Sequence, residues 1–274
     1  MGTGDQGSGT RDCCSENSAA SGICSGNPNS SSQLSALSPQ PPVPDPPFPY
    51  LNENDRYLFP PPETWEDWII AVGGNLSPGM LLSAYEQGIF PWYGPEDPIL
   101  WQSPDPRMLI FPETLHISRS MKKILDNNVF EIALNRDFAA VICGCAETKR
   151  PSQGGTWITA DIITAYTEMH RLGWALSAEA YLDGELAGGC YGVRIGKAFF
   201  GESMFAKKPN ASKAAFLSLA CFLFANGVEF IDCQVPTDHL RSLGGKVMSR
   251  MNFLALLKET LLPFPIPYSP LSIV

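Results

Sequence analysis

The chain has little of what metal centres, disulfide scaffolds and membrane proteins are built from. Only three histidines occur in 274 residues, widely separated, and the eight cysteines include no paired Cys-x-x-Cys spacing. No zinc ligand set or short disulfide framework follows, and the pattern fits reduced thiols in a cytoplasmic protein without a metal. No uninterrupted apolar run reaches the roughly 18 residues of a membrane span. The N-terminal stretch has no apolar core of signal-peptide length and a single Arg, which argues against secretory and transit peptides. Positive charge is also short: 19 Lys and Arg stand against 28 Asp and Glu, a net of −9. Residues 1–55 alone hold −5 of this and the remainder −4, so a local basic face stays open for nucleic acid.

What is present divides the chain. Residues 1–56 are rich in Gly, Ser, Asn and Pro, including the run Pro41-Pro42-Val43-Pro44-Asp45-Pro46-Pro47, and read as a disordered low-complexity tail. The expected boundaries beyond it are a small N-terminal domain over 57–110, a catalytic domain over 111–262 and a proline-rich C-terminal extension over 263–274. Ile69 to Val72 reads as a short strand. Ser77-Pro78 reads as the start of a helix, Ser as N-cap, that stops at Gly88. Strands are expected at Met108 to Phe111 and Phe130 to Asn135, and helices at Ser118 to Asp126, Phe138 to Cys145 and Asp161 to Leu172. Trp174 to Leu182, Leu186 to Ile195 and Ala198 to Phe200 form an antiparallel meander.

A helix from Ala211 to Ala225 and a buried strand from Val228 to Cys233 follow. Together they return the chain beside Ala198 to Phe200 as a right-handed crossover. Glu202 then sits at one strand end and Asp232 and Gln234 at the other. Acids at the ends of apolar strands are costly unless they bind or catalyse, which makes this the candidate site. The competing explanation is that Glu202 and Asp232 cap helices or pair with Lys213 and Arg241. The aromatics Phe90, Trp92, Tyr93 and Trp101 lie on a Gly- and Pro-punctuated loop, where they serve either as core plugs, the commoner outcome, or as the wall of an apolar pocket.

Three antiparallel strands, a helix and a closing parallel strand give an α+β layout like that of acyl-coenzyme A N-acyltransferases (GNAT-like). Those enzymes grip a pyrophosphate with a glycine-rich turn at a helix start. Here the turn is Phe205-Ala206-Lys207-Lys208-Pro209-Asn210, without a glycine, so coenzyme A is not the expected donor.

Longer motifs point elsewhere. Gly73-Gly74-Asn75-Leu76-Ser77, Gly88-Ile89-Phe90-Pro91-Trp92, Trp101 with Ser103-Pro104-Asp105-Pro106-Arg107, and Gly155-Thr156-Trp157-Ile158-Thr159 occur in order. They continue as Gly201-Glu202-Ser203-Met204-Phe205, Ala211-Ser212-Lys213, Ile231-Asp232-Cys233-Gln234 and His239 with Ser242-Leu243-Gly244. Across about Phe59 to Leu257 the chain resembles the leucyl/phenylalanyl-tRNA-protein transferases. The resemblance implies a small N-terminal α/β domain followed by a GNAT-like domain, and an aminoacyltransferase without metal or organic cofactor. Such an enzyme moves Leu or Phe, and less readily Met, from its tRNA to proteins beginning with Arg or Lys, marking them for degradation.

The resemblance also assigns roles. It makes Gln234 and Asp232 the groups that handle the amine proton. A neutral amide is a poor base, so the expectation is that Gln234 orients the amine through its carbonyl. Asp232 would fix that amide from two residues away on the same strand, and Glu202 would meet the cationic acceptor. The implied acyl pocket takes in Trp92, Trp157, Cys190, Phe216, Leu219, Leu223 and Ile231, with Ser203 also at the substrate. Cys190 stands where Met is usual, Leu219 and Leu223 where Phe occurs, and Gln102 where a second Trp is usual, which lightens that pocket. Candidate tRNA phosphate contacts are Arg119, Lys122, Lys123, Lys149, Arg150, Lys207, Lys208 and Lys213. The alternatives are a related acyltransferase with shifted donor or acceptor, and a non-catalytic binder of tRNA or degradation signals.

Overall fold

A computed structural model describes residues 50–148 and 156–261 of the chain, all within one compact unit. Residues 1–49 of the N-terminal tail and the C-terminal extension lie outside these residues, as do Lys149 and Arg150. After one 3-10 turn at Pro62–Thr64, the chain forms β1 (Ile69–Val72), α1 (Pro78–Glu86), β2 (Phe90–Pro91) and β3 (Leu100–Gln102). The three strands make a small antiparallel sheet in the order β1-β3-β2. Pro78 opens α1, where its missing N–H is no loss. The Ser77 hydroxyl does not cap the helix as expected. It accepts the Leu51 N–H at 3.1 Å, and Arg56 pairs with Glu86 at 2.8 Å, so the last residues assigned to the tail are tied to α1.

The main sheet draws its strands from the rest of the chain. β4 (Arg107–Ile110), α2 (Arg119–Asp126), β5 (Glu131–Leu134), α3 (Phe138–Glu147) and α4 (Ala160–Arg171) come first. The meander β6 (Ala175–Leu182), β7 (Glu185–Ile195) and β8 (Ala198–Ala206) follows, and α5 (Ala211–Ala225) carries the chain to β9 (Phe230–Asp232). α6 (Asp238–Ser242), β10 (Lys246–Met248) and α7 (Arg250–Leu261) complete it. The order is β10-β4-β9-β8-β7-β6-β5, antiparallel throughout except for β8 and β9, which the α5 crossover makes parallel. Arg107–Ile110, expected at the end of the small domain, is thus a strand of the large sheet between β10 and β9.

Side chains alternate between the two faces of this sheet, and each face carries its own core. One core contains Tyr85, Phe90, Phe138, Tyr166, Tyr191, Phe200, Phe230 and Phe253, under α1, α3, α4 and α7. The other contains Met121, Cys190, Phe199, Phe216, Leu219, Leu223 and Ile231, under α2 and α5. α5 reads as a nearly continuous apolar run because it is buried along most of its length, and its bounds are those expected from the sequence.

The third strand of the meander is longer than expected, reaching Ala206 rather than Phe200. It continues pairing with β7 through Tyr191↔Ser203, Cys190↔Met204 and Gly188↔Ala206. Glycine at 192 permits this close approach, since a Cβ there would run into the Phe200 carbonyl and the Phe199 ring. Glu202 is therefore inside a strand. The register steps from Gly192↔Gly201 to Tyr191↔Ser203, which makes Glu202 the extra residue of a β-bulge.

Candidate active site

β8 and β9 pair only as far as Phe200↔Asp232. Beyond that point β8 stays with β7, while the chain after Asp232 turns to β4: Cys233 N–H donates to the Met108 carbonyl at 2.8 Å and Met108 N–H to the Gln234 carbonyl at 3.0 Å. A gap opens between the two strands, with Glu202 on one side and Gln234 on the other. The Gln234 side chain crosses it, its Nε2 donating to Glu202 Oε1 at 3.0 Å.

Glu202 is buried, and the bulge aims it into the core beneath α1 and α4. Tyr85 of α1 donates to its Oε1 at 2.8 Å and Tyr166 of α4 to its Oε2 at 3.4 Å, and the two phenols also contact each other. Burial pushes the Glu202 carboxyl up to about 8, and the neighbouring Asp232 adds to this, while the phenol hydrogen bonds and Arg107 pull it down. Burial, followed by the charge of Glu202, also lifts both phenols well above their ordinary range, so they stay protonated and act as donors. Sequence reasoning singled out neither tyrosine. Tyr85 falls within the recognisable α1 pattern, but nothing local marks it, or Tyr166, as facing an acid.

Asp232 behaves differently from the expectation. It pairs with neither Lys213 nor Arg241, and it does not hold the Gln234 amide. Its carboxylate is fully buried against Arg107, with Nη2–Oδ2 at 2.7 Å, Nε–Oδ1 at 3.0 Å and Nε–Oδ2 at 3.2 Å. Its remaining bond is accepted by Oδ1 from the Gln234 backbone N–H at 2.8 Å. Nor does Gln234 share a strand with it: β9 ends at Asp232, and Gln234 has φ 60, a left-handed conformation uncommon for glutamine. The residue that fixes the Gln234 amide is Glu202. Arg107 is a site residue that sequence reasoning missed. Its signal was a charge directly preceding the apolar strand Met108-Leu109-Ile110, which needs a buried counter-ion.

Two family models match the chain on either side of Arg107 and Met108. Residues 74–105 match the leucyl/phenylalanyl-tRNA protein transferase N-terminal domain, and residues 109–258 match leucyl/phenylalanyl-tRNA protein transferase. Leucyl/phenylalanyl-tRNA–protein transferases of Syntrophobacter fumaroxidans and Myxococcus xanthus are 49% and 47% identical to the chain. They align over 78% and 77% of it and over 92% and 91% of their own lengths. The chain belongs to the leucyl/phenylalanyl-tRNA-protein transferase family. The homologous enzyme of Anaeromyxobacter dehalogenans is 50% identical over 74% of this chain and 88% of its own. Among solved structures, a GCN5-related N-acetyltransferase from Kribbella flavida aligns at 12% identity with a TM-score of 0.33, covering 63% of this chain and 62% of that one.

In this transferase the residues implied for the acyl pocket fall on two faces of the sheet. Cys190, Phe216, Leu219, Leu223 and Ile231 come together in the core beneath α5. Trp92 and Trp157 belong to the opposite core, on the side of Glu202. Ile231 immediately precedes Asp232, and Met204, opposite Cys190 on β7, lies two residues after Glu202. Ser203, partly exposed, flanks Glu202 on the same strand. Burial pushes the Cys190 thiol well above its ordinary range, so it contributes as an apolar group.

Of the candidate tRNA contacts, Arg119, Lys122 and Lys123 are exposed on α2, and Lys122 pairs with Asp126 at 3.3 Å. Lys207 and Lys208 are exposed in the turn before α5, their backbone N–H groups bonded to the Ala187 carbonyl. Lys213 is half-buried in the first turn of α5, close enough to His239 to add to the lowering of that imidazole by burial. The groups on α2 and before α5 thus belong to separate elements. No helix among the described residues is long and apolar enough to cross a membrane.

Proposed function

We propose that this aminoacyltransferase moves Leu or Phe, and Met less readily, from the 3′ end of its tRNA to the α-amino group of a protein beginning with Arg or Lys, marking it for degradation in the cytoplasm. The observation that carries the reading is the Gln234 amide held by Glu202 across the gap between β8 and β9. The donor is an ester and is already activated, so the site has to place two groups and manage one proton. The amine nitrogen attacks the ester carbonyl, the bond to the ribose oxygen breaks, and that oxygen takes up the proton the amine loses. An α-amine with a pKa of about 7.7 to 8 is partly neutral at physiological pH, so no strong base is required.

With Nε2 bound to Glu202, the Gln234 carbonyl oxygen is turned away from the acid, where it accepts an N–H of the incoming amine. Glu202 holds that amide and places negative charge close to the cationic acceptor residue. Entry of a cation favours the ionised carboxylate and offsets part of the burial that raises its pKa. The acyl side chain passes through the gap toward Cys190, Leu219, Leu223 and Ile231. The exposed lysines Lys207 and Lys208, together with Lys213, offer contacts to the tRNA backbone.

Radiolabelled Leu, Phe and Met on their tRNAs, offered with a peptide beginning with Arg, test the reading. An Ala-initiated peptide and acetyl-coenzyme A serve as controls. Label on the Arg peptide alone is the expected result. Bound tRNA with no transfer from any donor would leave a binding protein and end the proposal.

A further inference from the structure

We propose that Arg107 is a positioning residue for the transfer reaction: through Asp232 it sets the backbone conformation that aims the Gln234 amide into the gap. The inference rests on the role given above to Gln234. The Asp232 carboxylate has no side left for a substrate, because it is fully buried and its two oxygens are taken by Nε and Nη2 of Arg107 and the N–H of Gln234. Whatever Asp232 contributes is therefore delivered through the Gln234 backbone.

That backbone is held on both sides by one strand. Arg107 orients the acceptor of the Gln234 N–H, and its neighbour Met108 donates to the Gln234 carbonyl and accepts from the Cys233 N–H. Two consecutive residues of β4 thus hold a left-handed glutamine, a conformation that a non-glycine residue keeps only when its surroundings over-determine it. Arg107 is fixed in turn from distant parts of the chain. Its guanidinium carbon lies 5.0 Å from the Phe90 ring centre and 4.5 Å from that of Phe253, so β2 and α7 grip it on their ring faces.

Stability alone does not explain such a pair, since packed apolar side chains of similar volume usually do as well as a buried ion pair. Nη1 of Arg107 is in addition buried without a hydrogen-bond partner among the described residues, a further cost. The fork geometry of the guanidinium suits the alternative: it holds a carboxylate at one angle, which a lysine or an apolar side chain does not.

The test is a double-mutant cycle on single-turnover transfer to an Arg-initiated peptide, comparing the wild type with Arg107→Met, Gln234→Ala and the double variant. Thermal unfolding and tRNA affinity are followed in parallel. Arg107→Met is expected to lower the maximal rate about 100-fold with acceptor KM and tRNA affinity within a few fold, the scale of a reacting group misplaced by about 1 Å. In the Gln234→Ala background the same change should cost little, because no amide remains to be aimed. An equal loss in both backgrounds would overturn the proposal and make Arg107 a purely structural residue. A Gln234→Ala variant that transfers at the wild-type rate would instead remove the underlying role of Gln234, an outcome separable from the first.

Discussion

Glu202 should make this enzyme less stable as the pH rises, and the variant Glu202→Gln should abolish that dependence. An exposed glutamate in the unfolded chain titrates near 4.3, whereas burial holds the folded carboxyl up to about 8. Between these values the folded state keeps a proton that the unfolded state has lost. Stability therefore falls by about 1.4 kcal/mol per pH unit from this group alone and levels off above about 8. Across the whole window the loss is on the order of 5 kcal/mol, comparable to the total stability of many domains. Glutamine at 202 keeps an oxygen to accept from Tyr85 and Gln234 without a charge to bury. Urea unfolding of both proteins at pH 5.5, 6.5 and 7.5 is the assay. The variant should gain on the wild type by about 3 kcal/mol over that range, while losing transfer activity. Parallel pH profiles would show that Glu202 ionises freely in the folded protein, and the reasoning from its burial would be wrong.

Other outcomes follow from the same geometry. Tyr85→Phe removes the shorter phenol bond to Glu202, at 2.8 Å, and should move the rising limb of the pH–rate profile upward by up to about one unit; Tyr166→Phe, with a bond of 3.4 Å, should move it less. Cys190→Met and Leu219→Phe add bulk behind the gap and should shift donor preference from Phe toward Leu by about 10-fold, read as the ratio of kcat/KM for the two tRNAs. Lys207→Ala with Lys208→Ala should weaken tRNA binding and flatten its salt dependence by about one unit of log–log slope for each phosphate no longer neutralised, measured by filter binding from 50 to 200 mM salt. An unchanged slope would take these lysines off the tRNA path.

The crossover was the most legible part of the fold. α5 announces itself by a long apolar run closed at Gly227, and the strand after it by the apolar cluster Val228 to Cys233, of which the structure keeps Phe230–Asp232 as β9. That logic was enough to bring Glu202, Asp232 and Gln234 together. The length of β8 was not legible, because the bulge interrupts the period-two pattern at the point where Glu202 enters. The partners of the acids were also hidden: Arg107 and Asp232 lie 125 positions apart, Tyr85 and Glu202 117 apart, and no local pattern encodes either pairing. The left-handed turn at Gln234 escaped for a related reason, since it is imposed by β4 rather than by a glycine or asparagine.

The bulge at Glu202 also sets the parity of the rest of its strand. Ahead of it the even positions Ala198 and Phe200 face the core under α3 and α4, and Phe199 faces the other; beyond it Phe205 takes the first side and Met204 the second. Phe205 then lies over α3, where its ring fills the space left by the missing side chain of Gly144. One extra residue therefore supplies the acid and decides which aromatic docks on the neighbouring helix. Deleting a residue from Gly201–Ser203 would even out the ladder with β7 but send Phe205 to the wrong face. In this strand the number of residues matters as much as their chemistry: a substitution at position 202 costs activity but keeps the parity, whereas a deletion there would change the packing of everything after it.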